Sequence, residues 1–190
     1  MLITDELFAS FIKCETKSYL TATHFSEAQS ELLDSQRRIL DDYKRKCRSR
    51  LHASCHNEEY FAGSLSPDSL RHKRYALVTD CVLETERIKS AIHALERSPS
   101  TTRRQSAYIP IRFLPALKIT KHDKLLLAFD AIAISMALGG GPMFGKIIHG
   151  PNCKATKVLL SGLIQSVNTI VESMVAKLSG NTPPELILNQ

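Results

Sequence analysis

Apolar side chains recur along this chain with changing rhythm, and each change marks an element. Leu7, Phe8, Phe11 and Ile12 fall on one stripe of a short helix that Thr4 can cap and that ends near Cys14. From Ser26 to about Leu51, Leu32, Leu33, Gln36, Ile39, Leu40, Tyr43 and Cys47 keep helical spacing, which predicts one long helix. The runs YALVTDCV from Tyr75, SAIHALE from Ser90 and YIPIRFLP from Tyr108 read instead as strands. Between the last two, SPSTTRRQS (98–106) carries no apolar residue and is expected to be a solvent-exposed hairpin connection.

Thr120 with Asp123 three positions on makes a capping-box-like start, and the following KLLLAFDAIAISMAL is apolar on nearly all faces, which predicts a buried helix. GGGP from Gly139 ends it, GKIIHG reads as another strand, and a last helix is expected from about Thr156 to Leu178, before PPELILNQ. This order predicts an α/β or α+β layout with a mixed sheet. Tyr75–Val82, Ala91–Glu96, Tyr108–Pro115 and Lys146–His149 should be neighbouring strands, with the helix Lys121–Ala137 packed on them.

A chain of 190 residues, 43% hydrophobic, can bury one sizeable core. A single domain is therefore expected, with a helical part to residue 72 and an α/β core from residue 73. No run of 18 apolar residues and no basic start followed by an apolar stretch occurs, so neither a membrane span nor a secretory signal is indicated, and a cytoplasmic location is expected. Five cysteines, Cys14, Cys47, Cys55, Cys81 and Cys153, are odd in number and irregularly spaced, which favours reduced thiols. A net charge of +6 and a pI near 9.1 favour a polyanionic partner. The strongest basic patch is the second half of the long helix, with Arg37, Arg38, Lys44, Arg45, Lys46, Arg48 and Arg50. Two readings fit it, a solvated helix face or a phosphate-contacting surface.

Three apparent motifs differ in what they carry. Gly140–Lys146 spells G-x-x-x-x-G-K, yet Ile147 stands where a phosphate loop needs a hydroxyl, and the segment leads from helix to strand, so it is rejected. Cys47, His52, Cys55 and His56 lack paired C-x-x-C spacing and read as a chance cluster rather than a zinc site. Asp130 lies inside an apolar helix and needs a cationic or hydrogen-bonding partner or a polar pocket, either as a structural pair or in a site role.

The run YIPIRFLPALKITKHDKLLLAFDAIAIS, followed by GKIIHG and PPELILNQ, and the opening TDELFASFIKCETKSYL resemble the amino-terminal part of the bacterial RecB-like nucleases, over nearly the whole chain. The resemblance implies a restriction-endonuclease-like (PD-(D/E)xK) mixed central sheet flanked by helices. Such a sheet presents an Asp, then a Glu and a Lys on the adjacent strand, to Mg or Mn and a DNA phosphate. It further implies that Cys14 joins three carboxy-terminal cysteines around a 4Fe-4S cluster. The matching pattern would continue past Gln190 into a His- and Cys-rich segment, so a truncated chain without the cluster is expected. Further domains or a helicase would be partners of a longer form. The alternative for Cys14 is a small buried hydrophobe under the first helix.

At the positions that the resemblance makes catalytic, the residue types change. His93 stands for the Asp, with Glu96 three residues on, and histidine is a poorer magnesium ligand. Arg112 and Leu114 stand for Glu-x-Lys, or Leu117 and Lys118 in a shifted register, while Leu125 and Phe129 replace the family's Gln and Tyr. The candidate catalytic residues are therefore His93, Glu96, Lys118 and Asp130. Convergence of the four in one concavity would favour a DNA nuclease module, weak or silent by itself. Scatter would favour a non-catalytic DNA-binding or protein-docking module of the same fold, or a plain interaction protein.

Overall fold

The computed structural model describes residues 1–23, 31–55, 59–73, 75–98 and 108–178, with the side chains at 31–33 excluded. The start of the long helix, all but Ser98 of the SPSTTRRQS connection, His56 and PPELILNQ lie outside the described residues. The elements in chain order are β1 (Ile3–Thr4), α1 (Asp5–Lys13), α2 (Glu15–Ala22), α3 (Glu31–His52), β2 (Tyr60–Ala62), α4 (Pro67–His72) and β3 (Leu77–Glu84). They continue with β4 (Ile88–Arg97), β5 (Tyr108–Leu114), α5 (Lys121–Leu138), β6 (Phe144–His149), β7 (Lys154–Leu159) and α6 (Ser161–Leu178).

One mixed sheet of seven strands runs β2-β3-β4-β5-β6-β7, with β1 added alongside β4. β3, β4 and β5 are successively antiparallel, β5 and β6 parallel, and β6 and β7 antiparallel. The four strands read from the sequence are thus neighbours in that order. Helices cover both faces. Leu125, Leu127, Ala128, Phe129 and Ile134 of α5 are fully or almost fully buried in the larger core with Phe8, Ile92, Leu95 and Ile147. On the other face Tyr43 and Cys47 of α3 pack against Leu77, Ala94, Ile111, Phe113 and Ile148. β5 therefore alternates between two cores, with Ile111 and Phe113 toward α3 and Tyr108 and Arg112 toward α5, which explains its almost unbroken apolar run.

Helix ends follow their local chemistry. Leu7 N–H donates to Thr4 Oγ1 at 3.1 Å to start α1, and Thr120 and Asp123 close a full capping box on α5. Gly139, at φ +78°, ends α5 in the left-handed conformation, and Arg71 of α4 donates to the Ala137 carbonyl at 2.8 Å. Among the described residues no helix is long and apolar enough to cross a membrane.

Two sequence expectations need correction. Residues from Thr156 to Leu159 belong to the edge strand β7, and the last helix starts only at Ser161. Only Thr156 and Val158 of β7 turn inward, and an alternation of two residues is too short to separate from helical spacing. Residues 1–72 are also not purely helical, since β1 and β2 extend the sheet along β4 and β3.

At Gly145 of β6 there is no room for a side chain under α5. A Cβ there would stand 3.0 Å from Leu127 Cγ and Cδ2 and 3.0 Å from the Pro110 carbonyl oxygen. Gly145→Ala should lower the unfolding free energy by about 1–3 kcal/mol in urea denaturation. Unchanged stability would show that α5 is free to shift off the sheet.

Candidate functional site

The sheet forks at β4. One edge of β4 pairs with β3 from Lys89 to Glu96. On the other edge β1 pairs at Ile88 and Lys89, and β5 pairs only from Ala94 to Arg97. Residues 90–93 of β4 have no strand partner on that side among the described residues. The Phe113 N–H, which a continued ladder would direct to β4, donates instead to the His93 Nδ1 at 2.9 Å. His93 therefore wedges the fork, with its ring 5.5 Å from the Phe113 ring and inclined to it by 29°.

A cleft of about 310 Å³ opens at the fork, and its ionisable lining is Asp5 and Glu6 from α1, Lys44 from α3, His93, Arg112 and Asp123. Arg112 in its wall belongs to a buried ion pair. Arg112 Nε and Nη2 donate to Asp130 Oδ2 and Oδ1 at 2.5 and 2.7 Å, Ser90 Oγ donates to Oδ1 at 2.6 Å, and Asp5 lies 3.7 Å from the guanidinium. Burial pushes the Asp130 carboxyl up, and Arg112 opposes that shift. Burial also works against the charge on Arg112, but Asp130 foremost, then Asp5 and Asp123, holds the guanidinium above its ordinary value. Arginine does not surrender its proton and both carboxylate oxygens accept from it, so the pair is ionised. The carboxylate inside the apolar helix thus has the cationic partner that its burial demands.

His93 sits well below the ordinary histidine value, first because it is buried and then because Arg112, Lys44 and Arg48 repel a further positive charge. A neutral ring is also what its role as acceptor from Phe113 requires. The other candidates lie elsewhere. Glu96 takes two contacts from Lys146 Nζ, at 2.8 and 2.6 Å, which reach across β5 on the α3 side of the sheet. Lys118 is exposed in the connection between β5 and α5. Of the four candidates only His93 lines the cleft; Asp130 is buried behind Arg112, and Glu96 and Lys118 lie away from it. Arg112, which the sequence showed only as a departure from Glu-x-Lys, is the central residue of the site.

The basic flank of α3 is partly engaged. Arg37 pairs with Asp34 and Arg45 with Asp42 within the helix, and Arg48 pairs with Asp80 of β3. Lys46 donates to the Pro151 carbonyl and Arg50 to the Asn152 carbonyl, each at 2.7 Å, and Tyr43 Oη donates to Gly150 at 2.9 Å. These contacts fasten α3 to the turn between β6 and β7. Arg38 is exposed, and Lys44 faces the cleft.

Cys14 is exposed at the corner between α1 and α2, contrary to its reading as a buried hydrophobe. The next residue, Glu15, accepts from Lys177 Nζ of α6 at 2.7 and 2.6 Å. Among the described residues no group of three or more His, Cys, Asp or Glu side chains is arranged to hold a metal ion. Neither a protein-family model nor a curated protein matches the chain.

Two measurements follow from the fork. Arg112→Met strands the buried Asp130 carboxylate and should cost about 3–5 kcal/mol in denaturant unfolding, whereas adding Asp130→Leu should recover most of that loss. A double variant no more stable than Arg112→Met would refute the pairing. His93, held below 6.5 in the fold, binds fewer protons folded than unfolded. Stability is therefore complete above 6.5 and drains as the pH falls below it, toward the folded-state value. His93→Asn keeps an acceptor for Phe113 without a titrating ring, so its urea midpoint should fall less between about pH 7 and 5 than that of the parent. Parallel profiles would rule out His93 as the sensor.

Proposed function

We propose that the chain is a RecB-like module of the restriction-endonuclease-like group that binds DNA through the basic flank of α3 and hydrolyses it weakly or not at all by itself. The fork carries this reading. The resemblance expects an Asp-bearing strand beside a Glu-x-Lys strand, opened far enough to admit a metal and a phosphate. β4 and β5 are adjacent and antiparallel, and they part at His93 and Arg112, the residues that stand at the expected positions. A supporting observation is that the ion pair from Lys177 to Glu15 brings the end of α6 beside Cys14, as a cluster built from Cys14 and later cysteines would require.

The scatter of His93, Glu96, Lys118 and Asp130 and the pairing of these residues favour the non-catalytic form of such a module. A fixed guanidinium stands where a carboxylate would hold a divalent cation, and it repels such an ion. Glu96 is committed to Lys146, and Asp130 to Arg112 and Ser90. The cleft also carries the carboxylates of Asp5, Glu6 and Asp123, which disfavour a phosphate inside it. DNA therefore belongs on α3, where Arg37, Arg38 and Arg45 point outward.

The test uses linear single- and double-stranded DNA over rising salt. Binding should be sequence-independent and salt-sensitive. Replacing Arg37, Arg38 and Arg45 together by Glu, which leaves the Tyr43, Lys46 and Arg50 contacts intact, should weaken binding by roughly tenfold or more at low salt and flatten the salt slope. Equal binding by parent and variant would remove DNA as the partner of this helix. Incubation with Mg or Mn should give little cleavage. Robust cleavage that Lys118→Ala abolishes would overturn the weak-chemistry part alone.

A further inference from the structure

The structure holds two thiols in contact across the molecule. Cys47, buried on α3, donates to Cys153 Sγ at 3.3 Å, and the two residues are separated by 106 positions in the chain. Cys153 is partly buried in the turn between β6 and β7, where its N–H donates to the Gly150 carbonyl at 3.0 Å. Its backbone is left-handed, at φ +51°, a conformation that an L-residue with a Cβ rarely adopts. The turn is held at three successive carbonyls by Tyr43, Lys46 and Arg50 of α3. That arrangement keeps the sulfur of Cys153 against Cys47. Among the described residues all five cysteines are free.

The geometry points to Cys47 and Cys153 as a redox pair that closes into a reversible disulfide when the protein meets a hydroperoxide. The sulfurs need to approach by little more than 1 Å to reach a bond of about 2.05 Å. Cys153, the more accessible thiol, reacts first. Its thiolate attacks the peroxide O–O bond, an S–O bond forms, and water leaves with the second oxygen. Cys47 then gives up its proton and attacks the Cys153 sulfur; the S–S bond forms, the S–O bond breaks, and a second water departs. Two thiols are oxidised by two electrons, and hydrogen peroxide is reduced to two waters. Burial pushes the Cys47 thiol up to about 12 and shields it from external oxidants, so loss of its proton has to accompany its attack on the Cys153 sulfur, which lies 3.3 Å away. The inference stands apart from any role in DNA binding.

The purified full chain would be treated with hydrogen peroxide and then alkylated. Two of the five thiols should be lost, a proteolytic map should show one peptide joining Cys47 to Cys153, and dithiothreitol should restore both. Cys55, which packs at the margin of the same cluster, supplies the control. Cys55→Ser should leave the crosslink intact, whereas Cys47→Ser should leave Cys153 as a sulfenic acid that dimedone traps. The crosslink closes a long loop, so the oxidised parent should melt roughly 5 °C or more above the reduced one. Formation of a Cys55–Cys153 bridge, conversion of Cys153 in the parent to the sulfinic acid without a crosslink, or full retention of thiols would each overturn the assignment. The map of the parent decides the question even where Cys47→Ser fails to fold.

Discussion

The buried contact between Arg112 and Asp130 constrains the rest of the molecule. A carboxylate in the middle of α5 cannot be left without a counter-charge, and Arg112 and Ser90 meet it with distances of 2.5 to 2.7 Å. Those three residues belong to β5, α5 and β4, so satisfying one charge fixes how the helix sits over two strands. It also occupies the stretch where β4 and β5 have parted. An apolar pair would pack there at less desolvation cost, but it would not set the rotation of α5 about its own axis, whereas paired directional hydrogen bonds do.

The long helix α3 meets a related demand. Its positive charges read from the sequence as a solvated face or a phosphate surface, and the structure divides them between two kinds of work. Lys46 and Arg50 satisfy carbonyls of the turn after β6, and Arg48 reaches Asp80 on β3. Arg37, Arg38 and Arg45 remain outward, two of them in exposed i, i+3 pairs of small energetic weight. Charge reversal along this helix therefore has to be chosen residue by residue, because part of the flank fastens the helix.

Legibility followed the range of the interaction. The start of α5 could be read because a capping box is complete within four residues, and the burial of α5 because nearly every position is apolar. The strands β3, β4, β5 and β6 carried enough β-branched and aromatic residues to be read singly. β7 was missed because its inward alternation is two residues long, and β1 and β2, with two and three residues, have no pattern of their own. For the site, the need of Asp130 for a partner could be read, but the identity of that partner could not. Arg112 meets it only through the packing of α5 on β5, and Lys146 meets Glu96 only because β5 lies between their strands. The fork itself leaves no mark in the sequence, since a strand that loses its neighbour halfway has the same composition as one that keeps it.

The order of the sheet has a consequence for how the chain is made. From β2 to β7 every strand lies beside the one that precedes it in sequence, so each can dock as it leaves the ribosome, without waiting for a distant segment. Two neighbours run parallel, β3 beside β2 after α4 and β6 beside β5, and the second of these can form only after the longer α5 has crossed over. Until that crossing is complete, the growing protein exposes a bare strand edge and, on α5, ten residues that end up buried. That interval is where nascent chains would stick to one another, and where a chaperone would do most for the yield of this protein.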